Sequence, residues 1–304
     1  MSDVDVILVN YRSGPRLGAA VDEARRWLGE RAAVTIVDNS PGDGSVELVT
    51  SANADVQVIR NEANEGFAAA VNQALGATSG PYVLLLNPDV GGIRGSFGAI
   101  ERVFADEEVA AVAPRLFGPD GSLQRSARRE PRPHDLLVDV FGLRGRFPGS
   151  RRLFASHYGD WDYTSTRVVD AASGAFLVLR RAALESVGPF DERYFVYAEE
   201  TDWLVRAKRL GWKTVFTPEV EAVHEARAST DAGEPALQLL LVESEHAYVR
   251  KHFGAGTAVA FRGVALAADS LRWAVAAARG RSRRAHRRAL ADRIRVHAGR
   301  TSGR

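Results

Sequence analysis

The sequence predicts an α/β fold, with a mostly parallel central sheet flanked by helices and a C-terminal helical appendage. Short apolar runs of strand length alternate with helical segments up to about residue 224, at the spacing of βα units. Several runs are apolar throughout, which is typical of strands buried on both faces of a parallel sheet. After about residue 229 the chain becomes rich in Ala and Arg, which predicts the separate helical part.

Turn and capping residues set the limits of the predicted elements. Gly14-Pro15 opens the first helix, and Gly188 and Gly211 stop two later ones. The predicted strands cover residues 4–9, 33–37, 56–60, 82–86, 109–113, 168–180 (interrupted at 173–174) and 213–216. The predicted helices begin near residues 15, 43 or 45, 67, 97, 181, 199, 234 and 258.

Composition excludes several classes of protein. The 304 residues are 45% hydrophobic and 26% charged, which is enough for a large globular core. Because the chain has no Cys, it contains neither disulfides nor thiolate metal sites, and a cytoplasmic setting is compatible. The N-terminal residues lack a signal-peptide pattern, and no apolar stretch is long enough to span a membrane.

The stretch at residues 115–167 is predicted as a long irregular connection, because its periodicity is weak. It includes the turn signal Pro119-Asp120-Gly121-Ser122. Its arginines are candidates for contacting a phosphorylated ligand, although a solvated basic loop explains them equally well. These arginines are Arg125, Arg128, Arg129 and Arg132.

The strongest chemical signal follows the apolar run at residues 82–86, where the chain continues Asn87-Pro88-Asp89. Pro88 ends the strand, so Asp89 lies at the carboxyl edge of the sheet, where open α/β folds bind ligands. A carboxylate there suits Mg²⁺ or Mn²⁺ together with substrate phosphate oxygens. The alternative is that Asn-Pro-Asp is only a turn.

Acidic residues gather at the start of a later predicted helix, as Glu199, Glu200 and Asp202. In a first turn they compensate the helix dipole, which is their purely structural explanation. Nearby aromatic residues favour a dehydrated carboxylate with a raised pKa, as a general base requires. His224, after the strand that follows this helix, is a candidate to complete the metal shell.

Together these segments resemble family-2 glycosyltransferases with a GT-A (Rossmann-like) fold, over about residues 4 to 227. Within that family the chain is similar to bacterial rhamnosyltransferases that act on polyprenyl-diphosphate sugars, a subgroup that residues 115–133 match. The resemblance rests on the order and spacing of 9–11, 37–40, 64–72, 86–89, 173–176, 188–192, 197–202 and His224.

The resemblance implies a role for each matching position. The nucleobase and ribose contacts are Asn10, Tyr11 and Asp38, and the diphosphate side comprises Asn64, Gly66, Phe67, Asn72, Asn87 and Arg206. Asp89 and His224 hold the metal, with Asn87 where the family has the first Asp of its Asp-x-Asp motif. Glu200 is the base, with Glu199 as the alternative and Asp202 in support. The acceptor residues are Ser173, Gly174 and Arg128.

The implied activity is an inverting, metal-dependent transfer of a sugar from a nucleotide sugar to a hydroxyl of a lipid-linked saccharide, in cell-envelope polysaccharide synthesis. The expected donor is dTDP-rhamnose, within the wider class of dTDP- and UDP-sugars, and the cofactor is Mg²⁺ or Mn²⁺. The catalytic domain is predicted at 1–228, with a nucleotide-sugar half to about 113 and an acceptor half from about 114. Residues 229–304 form the helical basic region.

The basic region predicts peripheral association with the cytoplasmic face of a membrane. An amphipathic helix over 258–278 precedes a cluster of arginines, a combination that binds anionic lipid surfaces. The alternative is a solvated helix or tail. The cluster consists of Arg279, Arg281, Arg283, Arg284, Arg287 and Arg288.

Two other functions remain open at this stage. A sugar nucleotidyltransferase shares a nucleotide-binding sheet and an acid-bound metal, and a non-catalytic sugar-nucleotide-binding protein needs only the donor site. Nucleic-acid binding is disfavoured, since the basic cluster lacks interleaved aromatic residues. The sequence does not determine the oligomeric state.

Overall fold

The structure is a computed structural model that describes residues 3–147, 150–225, 235–278 and 284–299, without the side chains of 235–237 and 284–286. The strands are β1 (Val4–Asn10), β2 (Ala32–Asp38), β3 (Gln57–Arg60), β4 (Tyr82–Leu86), β5 (Val90–Arg94), β6 (Val109–Phe117), β7 (Leu123–Gln124), β8 (Ala127–Arg128), β9 (Arg167–Val169), β10 (Ala171–Ala172), β11 (Phe176–Arg180) and β12 (Lys213–His224). The helices are α1 (Pro15–Leu28), α2 (Ser45–Ala52), α3 (Phe67–Gly76), α4 (Phe97–Phe104), α5 (Pro133–Val140), α6 (Leu143–Arg146), α7 (Arg181–Val187), α8 (Glu199–Arg209), α9 (Pro235–Ala278) and α10 (Arg284–His297).

The chain divides into two compact units. The first consists of Met1–Glu130, Trp161–Phe195 and Glu199–Thr230, and we call it the sheet unit. The second, the helical unit, consists of Pro131–Asp160, Val196–Ala198 and Asp231–Arg304. The boundary predicted between 228 and 229 lies outside the described residues, so that division of the domains stays a prediction.

A ten-stranded sheet organises the sheet unit, in the order β3-β2-β1-β4-β11-β6-β12-β5, with β7 beside β6 and β9 beside β12. The first four strands are parallel, as predicted from their apolar character. In this register Asn10, the last residue of β1, lies opposite Asp38, the last residue of β2. The polar residues that end these strands therefore share one edge of the sheet.

The second half of the sheet is mixed, which the prediction of a mostly parallel sheet did not anticipate. β11 runs antiparallel to both β4 and β6, and β12 is parallel to β6 but antiparallel to β5 and β9. The consequence for the site is geometric, since Leu86 at the carboxyl end of β4 pairs with Phe176 at the amino end of β11. The loop before β11 is thus brought to the edge where β4 ends.

The core lies on both faces of the sheet. Along β1, Val6 and Leu8 point to one buried cluster and Ile7 points to the other, as strand periodicity requires. Helices cover both faces, which explains why the central strands are apolar at consecutive positions.

The region at 115–167 was wrongly predicted as one irregular connection. It contains the end of β6, the short strands β7 and β8, and helices α5 and α6. Strand β5, which begins directly after Asp89, was also missed. The missed strands β5, β7 and β8 have one physical cause, because they are short and depend on pairing with β12, β6 and β10.

The helical unit contains the long helix α9, which is interrupted at Gly254, where φ is 86°. This break separates the two helices that the sequence predicted there. No helix in the described ranges is both long and apolar enough to cross a membrane. Of the predicted arginine cluster, Arg279, Arg281 and Arg283 lie outside the described residues.

Candidate active site

The carboxyl ends of β1 and β2 form a buried polar cluster. Asn10 Nδ2 donates to Asp38 Oδ1 over 2.9 Å and to Ser40 Oγ over 3.1 Å. Asp38 is almost wholly buried, and its other oxygen accepts from Arg60 Nη1 at 3.3 Å. Asp43 accepts from Ser40 Oγ at 2.7 Å, and burial opposed by this and other hydrogen bonds leaves the pKa of its carboxyl below the usual value. Asn10 and Asp38 are therefore held rigidly at one edge.

The half-buried Tyr11 follows this cluster directly. The guanidinium of its neighbour Arg12 lies 5.3 Å from the centre of the Tyr11 ring. Arg12 has a φ of 53°, a left-handed conformation that is uncommon for residues with side chains. Its amide donates to Ser40 Oγ at 2.8 Å, which ties the turn after β1 to the turn after β2.

The amino end of α3 lies next to the same edge. Asn39 Nδ2 donates to the Gly66 carbonyl at 3.0 Å, and Asn64 Oδ1 accepts from the Gly66 amide at 3.0 Å. A Cβ at Gly66 would meet the Phe195 carbonyl oxygen at 2.5 Å, so only glycine fits. The Phe67 amide donates to that same oxygen over 2.6 Å. The helix start, where backbone N–H groups favour anions, is thereby fixed beside the nucleotide-binding candidates.

The predicted metal residues also meet. Asp89 Oδ1 lies 3.4 Å from His224 Nε2, and the Asp89 side chain is only 3% exposed. Among the described residues, Asp89 Oδ1 has no hydrogen-bond partner. A buried carboxylate oxygen facing an imidazole nitrogen without a donor between them is a fit for a divalent cation.

The side chains that the structure describes do not by themselves make a complete metal shell here. Within the described parts of the chain, no three His, Asp or Glu side chains are clustered closely enough to hold an ion. So small a number of protein ligands is typical of Mg²⁺, which usually binds through one or two carboxylates plus substrate phosphates and water.

Glu199 and Glu200 open α8 with different surroundings. Glu199 Oε2 has no hydrogen-bond partner among the described residues. Burial, and then the charge of Glu200, raise the pKa of Glu199 well above its usual value. Glu200 instead packs against Gly174, where an added Cβ would lie 3.3 Å from the Glu200 Cβ and Cγ. Its Oε1 is 3.5 Å from Arg128 Nη2. The sequence predicted a dehydrated carboxylate with a raised pKa in this segment, and Glu199 is such a carboxylate.

The backbone immediately before this acidic pair is unusual. Tyr197 and Ala198 have φ values of 70° and 69°, two consecutive left-handed residues with side chains. Each such residue costs of the order of 1–3 kcal/mol, and strain of this kind is concentrated at functional sites.

The three predicted acceptor residues lie beside Glu200. β10 pairs with β8, which places Ala171 opposite Arg128, and the Ser173 amide donates to the Ser126 carbonyl at 3.0 Å. Gly174 then passes directly against Glu200. A glycine that interrupts a strand often marks a close approach by another group, and at Gly174 that group is the Glu200 side chain.

A short series of contacts links the Asp89 region to the Glu200 region. The Asn87 amide donates to the Ala175 carbonyl at 2.8 Å, and Ala175 follows the glycine that touches Glu200. The antiparallel pairing of β4 with β11 is the cause, because it joins the end of one strand to the start of the other. The two carboxylates that carry the predicted chemistry thus flank the same end of one strand pair.

Three predicted residues make contacts that hold the protein together. Asp202 is fully buried and accepts from Arg206 Nε at 2.9 Å and from Tyr194 Oη at 3.3 Å. The other two nitrogens of Arg206 donate to the carbonyls of Val187 and Pro189. Asn72 binds the backbone of Phe190 through both ends of its amide. Their roles toward substrate stay predictions.

Sequence reasoning missed several residues of this site. Asp43 and Arg60 complete the Asn10–Asp38 cluster, and Gln124 hydrogen-bonds His224. The Pro-Asp-Gly-Ser turn signalled a hairpin before Gln124, but no pattern in the sequence indicates that the hairpin lies beside β12.

Comparison with known proteins supports these observations. The family described as Glycosyl transferase family 2 matches residues 5–187. The N-acetylglucosaminyl-diphospho-decaprenol L-rhamnosyltransferase of Mycobacterium tuberculosis is 30% identical over 252 residues, covering 79% of this chain and 81% of the relative. The Low-salt glycan biosynthesis hexosyltransferase Agl10 of Haloferax volcanii is 24% identical, covering 79% of this chain and 73% of its own.

A solved structure confirms the fold class. The mannosyltransferase PcManGT of Pyrobaculum calidifontis, in complex with GDP-Man and Mn²⁺, superposes with a TM-score of 0.56 over 98% of this chain and 86% of its own. At 18% identity this likeness concerns the fold alone. The GT-A expectation is confirmed, with the sheet mixed in its second half.

Proposed function

The chain belongs to glycosyl transferase family 2, and on that premise we propose that it is an inverting, metal-dependent rhamnosyltransferase. The donor is dTDP-rhamnose, and the acceptor is a hydroxyl of a polyprenyl-diphosphate-linked saccharide. The mycobacterial relative, an L-rhamnosyltransferase named for an N-acetylglucosaminyl-diphospho-decaprenol acceptor, supports rhamnose as the sugar and a polyprenyl-diphosphate-linked saccharide as the acceptor. The observation that carries the proposal is the placement of Asp89 and Glu200 at the same end of the β4–β11 pair.

Glu200 is the general base in this mechanism. The acceptor hydroxyl oxygen attacks the anomeric carbon and its proton passes to a Glu200 carboxylate oxygen. The bond from that carbon to the diphosphate breaks, and the electron pair leaves with the nucleoside diphosphate. One base on the acceptor side implies one displacement and inversion.

The surroundings of the acidic pair favour Glu200 over Glu199. Burial disfavours the charged form of Glu199, whereas Glu200 lies beside the Arg128 guanidinium and the Ser173-Gly174 loop. Arg128 Nη2 lies 3.5 Å from Glu200 Oε1, so a predicted acceptor residue is directly beside the proposed base.

Asp89 and His224 are the residues that would hold Mg²⁺ or Mn²⁺. When bound, the ion supplies charge stabilisation for the departing diphosphate. The orphaned Asp89 Oδ1 supports this role from the protein side. Asn10 and Asp38 orient the nucleoside, and the amino end of α3 faces the diphosphate.

We also propose that the protein is peripheral to the cytoplasmic membrane face, bound through the second half of α9. The exposed positions between 255 and 278 carry one charged side chain, Arg262, and no carboxylate. The large apolar side chains there include Leu271 at 67% and Trp273 at 42% exposed. An acid-free apolar face followed by an arginine cluster suits an anionic bilayer.

Vesicle sedimentation tests the membrane face. The full chain should bind vesicles containing phosphatidylglycerol but not purely zwitterionic ones, and Leu271→Asp should lose binding while Leu48→Asp, at an exposed residue of α2, keeps it. Unchanged binding by Leu271→Asp, or a dimer that covers this face without vesicle binding, contradicts the assignment.

A substitution of the base tests the chemistry. We expect Glu200→Gln to lose about 10²–10⁴-fold in turnover while keeping its affinity for dTDP-rhamnose, since general-base catalysis contributes that factor. Glu199→Gln is the matched control and should lose much less. If Glu199→Gln is inactive and Glu200→Gln is not, the base is Glu199. Release of diphosphate instead of a nucleoside diphosphate would indicate a nucleotidyltransferase.

A further inference from the structure

The Pro119–Ser122 turn has no role in the mechanism above, yet its geometry is tightly specified. The Gly118 amide donates to the Ser122 carbonyl at 2.8 Å, and the Gly121 amide donates to the Gly118 carbonyl at 2.9 Å. Asp120 Oδ1 accepts from the Ser122 amide at 2.9 Å. The chain therefore reverses sharply after β6, and β7 returns antiparallel with Gln124 opposite Leu116.

This return brings the Gln124 amide to His224 on β12. Gln124 Nε2 donates to the His224 backbone carbonyl at 2.7 Å, and Gln124 Oε1 lies 2.9 Å from His224 Nδ1. One side chain thus holds both the backbone and the ring of the same residue.

The two contacts together determine which ring nitrogen carries the proton. A carbonyl oxygen only accepts, so the amide nitrogen must face it, and the amide oxygen must then face Nδ1. Since that oxygen is an acceptor, the neutral imidazole carries its proton on Nδ1 and leaves the Nε2 lone pair open.

That open lone pair points toward the orphaned carboxylate. His224 Nε2 is 3.4 Å from Asp89 Oδ1, and the latter has no donor among the described residues. Two acceptors facing each other in a buried place repel unless a cation lies between them.

We infer that Gln124 is a positioning residue for the cation site, which fixes the tautomer and orientation of His224 so that Nε2 and Asp89 Oδ1 bind one divalent ion. The inference rests on the metal site of the proposed function. Partners of this kind, bound to the second nitrogen of a ligating His, typically change metal affinity 10–100-fold when removed.

The test is a titration of Mn²⁺ into the full chain, with and without dTDP, followed by the electron paramagnetic resonance signal of free Mn²⁺. Gln124→Leu has similar volume and removes both hydrogen bonds, so we expect 10–100-fold weaker Mn²⁺ binding. Gln124→Glu keeps an acceptor for Nδ1 but loses the donor to the His224 carbonyl, so its Mn²⁺ affinity should lie between those of Gln124→Leu and the wild type. Gln57→Leu, at an exposed glutamine on β3, is the matched control and should bind as the wild type does.

A second readout separates positioning from a general loss of structure. In ¹⁵N spectra of histidine-labelled protein without metal, the neutral form of His224 should be the Nδ1-protonated tautomer in the wild type and a tautomer mixture in Gln124→Leu, while both proteins keep a cooperative unfolding transition. Wild-type Mn²⁺ affinity in Gln124→Leu overturns the inference about Gln124. Absence of Mn²⁺ binding by the wild type overturns the metal site itself, a distinct result that needs no variant.

Discussion

Each of the two units contains an Asp–His pair with a buried carboxylate, and the two pairs differ in what surrounds that carboxylate. In the helical unit, Asp269 Oδ2 lies 3.2 Å from His297 Nε2, and the same carboxylate accepts from Arg293 Nε at 2.7 Å and Arg272 Nη1 at 3.1 Å. In the sheet unit, Asp89 Oδ1 faces His224 Nε2 at 3.4 Å with no hydrogen-bond donor among the described residues.

The comparison teaches that the supply of hydrogen-bond donors, not the residue type, distinguishes the structural pair from the pair proposed to bind a cation. Burial alone would raise the pKa of the Asp269 carboxyl, but the His297 hydrogen bond and the charge and hydrogen bond of Arg293 outweigh it and leave that pKa below its usual value. It joins α9 to α10, and His297 extends the network to His246 at 3.0 Å. Asp89 Oδ1 has no donor in the part of the chain that the structure describes, which fits the proposal that it binds a cation.

The largest effect is expected from breaking the compensated pair. Asp269→Asn leaves Arg272 and Arg293 without their buried counter-charge, and loss of one partner from a buried ion network typically costs about 3–5 kcal/mol. The free energy of unfolding, measured by urea denaturation, should fall by about that amount. A change below about 1 kcal/mol would contradict the structural role.

A carboxyl group of the helical unit, that of Glu245, makes the stability of the protein depend on pH. The pKa of Glu245 is raised to about 8, chiefly by burial and then by the charge of Asp139. The charge of Asp269 raises it further, while the charges of Arg293 and Arg144 oppose the shift. Because the folded protein holds this proton more tightly than the unfolded chain, stability falls as pH rises from about 4.5 to about 8.

Glu245→Gln removes this titration. The variant should be more stable than the wild type at pH 8.5, by of the order of 1–3 kcal/mol, and nearly equal to it at pH 4.5. Denaturation curves at the two pH values measure the difference. An equal effect at both would show that the carboxyl does not titrate in this range.

Removing the carboxylate of the Asp89–His224 pair should not lower the unfolding free energy, in contrast to Asp269→Asn. Asp89→Asn removes a buried oxygen that has no donor, so without metal we expect the unfolding free energy to stay level or to rise by up to about 1–2 kcal/mol. The stabilisation that saturating Mn²⁺ gives the wild type, about 2.7 kcal/mol at 100 times the dissociation constant, should disappear. Destabilisation like that of Asp269→Asn would remove the distinction between the pairs.

The smallest effect tests how finely the sheet unit positions its base. A Cβ at Gly174 would lie 3.3 Å from Glu200 Cβ and Cγ, so Gly174→Ala should displace the carboxylate by a few tenths of an ångström. We expect about a tenfold loss of turnover with little change in melting temperature, because small misplacements of reacting groups are costly. Gly263→Ala in α9, where a Cβ meets nothing within 4 Å, is the control.

Local chemistry made much of the fold predictable. Strands β1, β2 and β4 were recognisable because both of their faces are buried, and Pro88 and Gly188 marked the ends of elements. Strands β5, β7 and β8 could not be recognised, because segments of two to five residues carry too little periodicity. Their conformation depends on the neighbouring strands with which they pair.

The site was predictable only as a list of residues. Motif spacing named Asp89, His224 and Glu200 as candidates. The Asp89 and Glu200 regions are linked by the antiparallel insertion of β11 beside β4, a tertiary pairing that the sequence pattern does not encode. The same limit concealed Gln124, whose partner is 100 residues away.

The most direct measurement of the central claim is the initial rate of sugar transfer from dTDP-rhamnose to a polyprenyl-diphosphate-linked acceptor, as a function of Mn²⁺ concentration. Wild-type protein should show a saturable dependence on Mn²⁺ and no transfer in excess chelator. Asp89→Asn should be slower by about 10²-fold or more at every Mn²⁺ concentration, the equivalent of losing several kcal/mol of charge stabilisation. Undiminished transfer by the wild type in excess chelator, or by Asp89→Asn, would contradict the account.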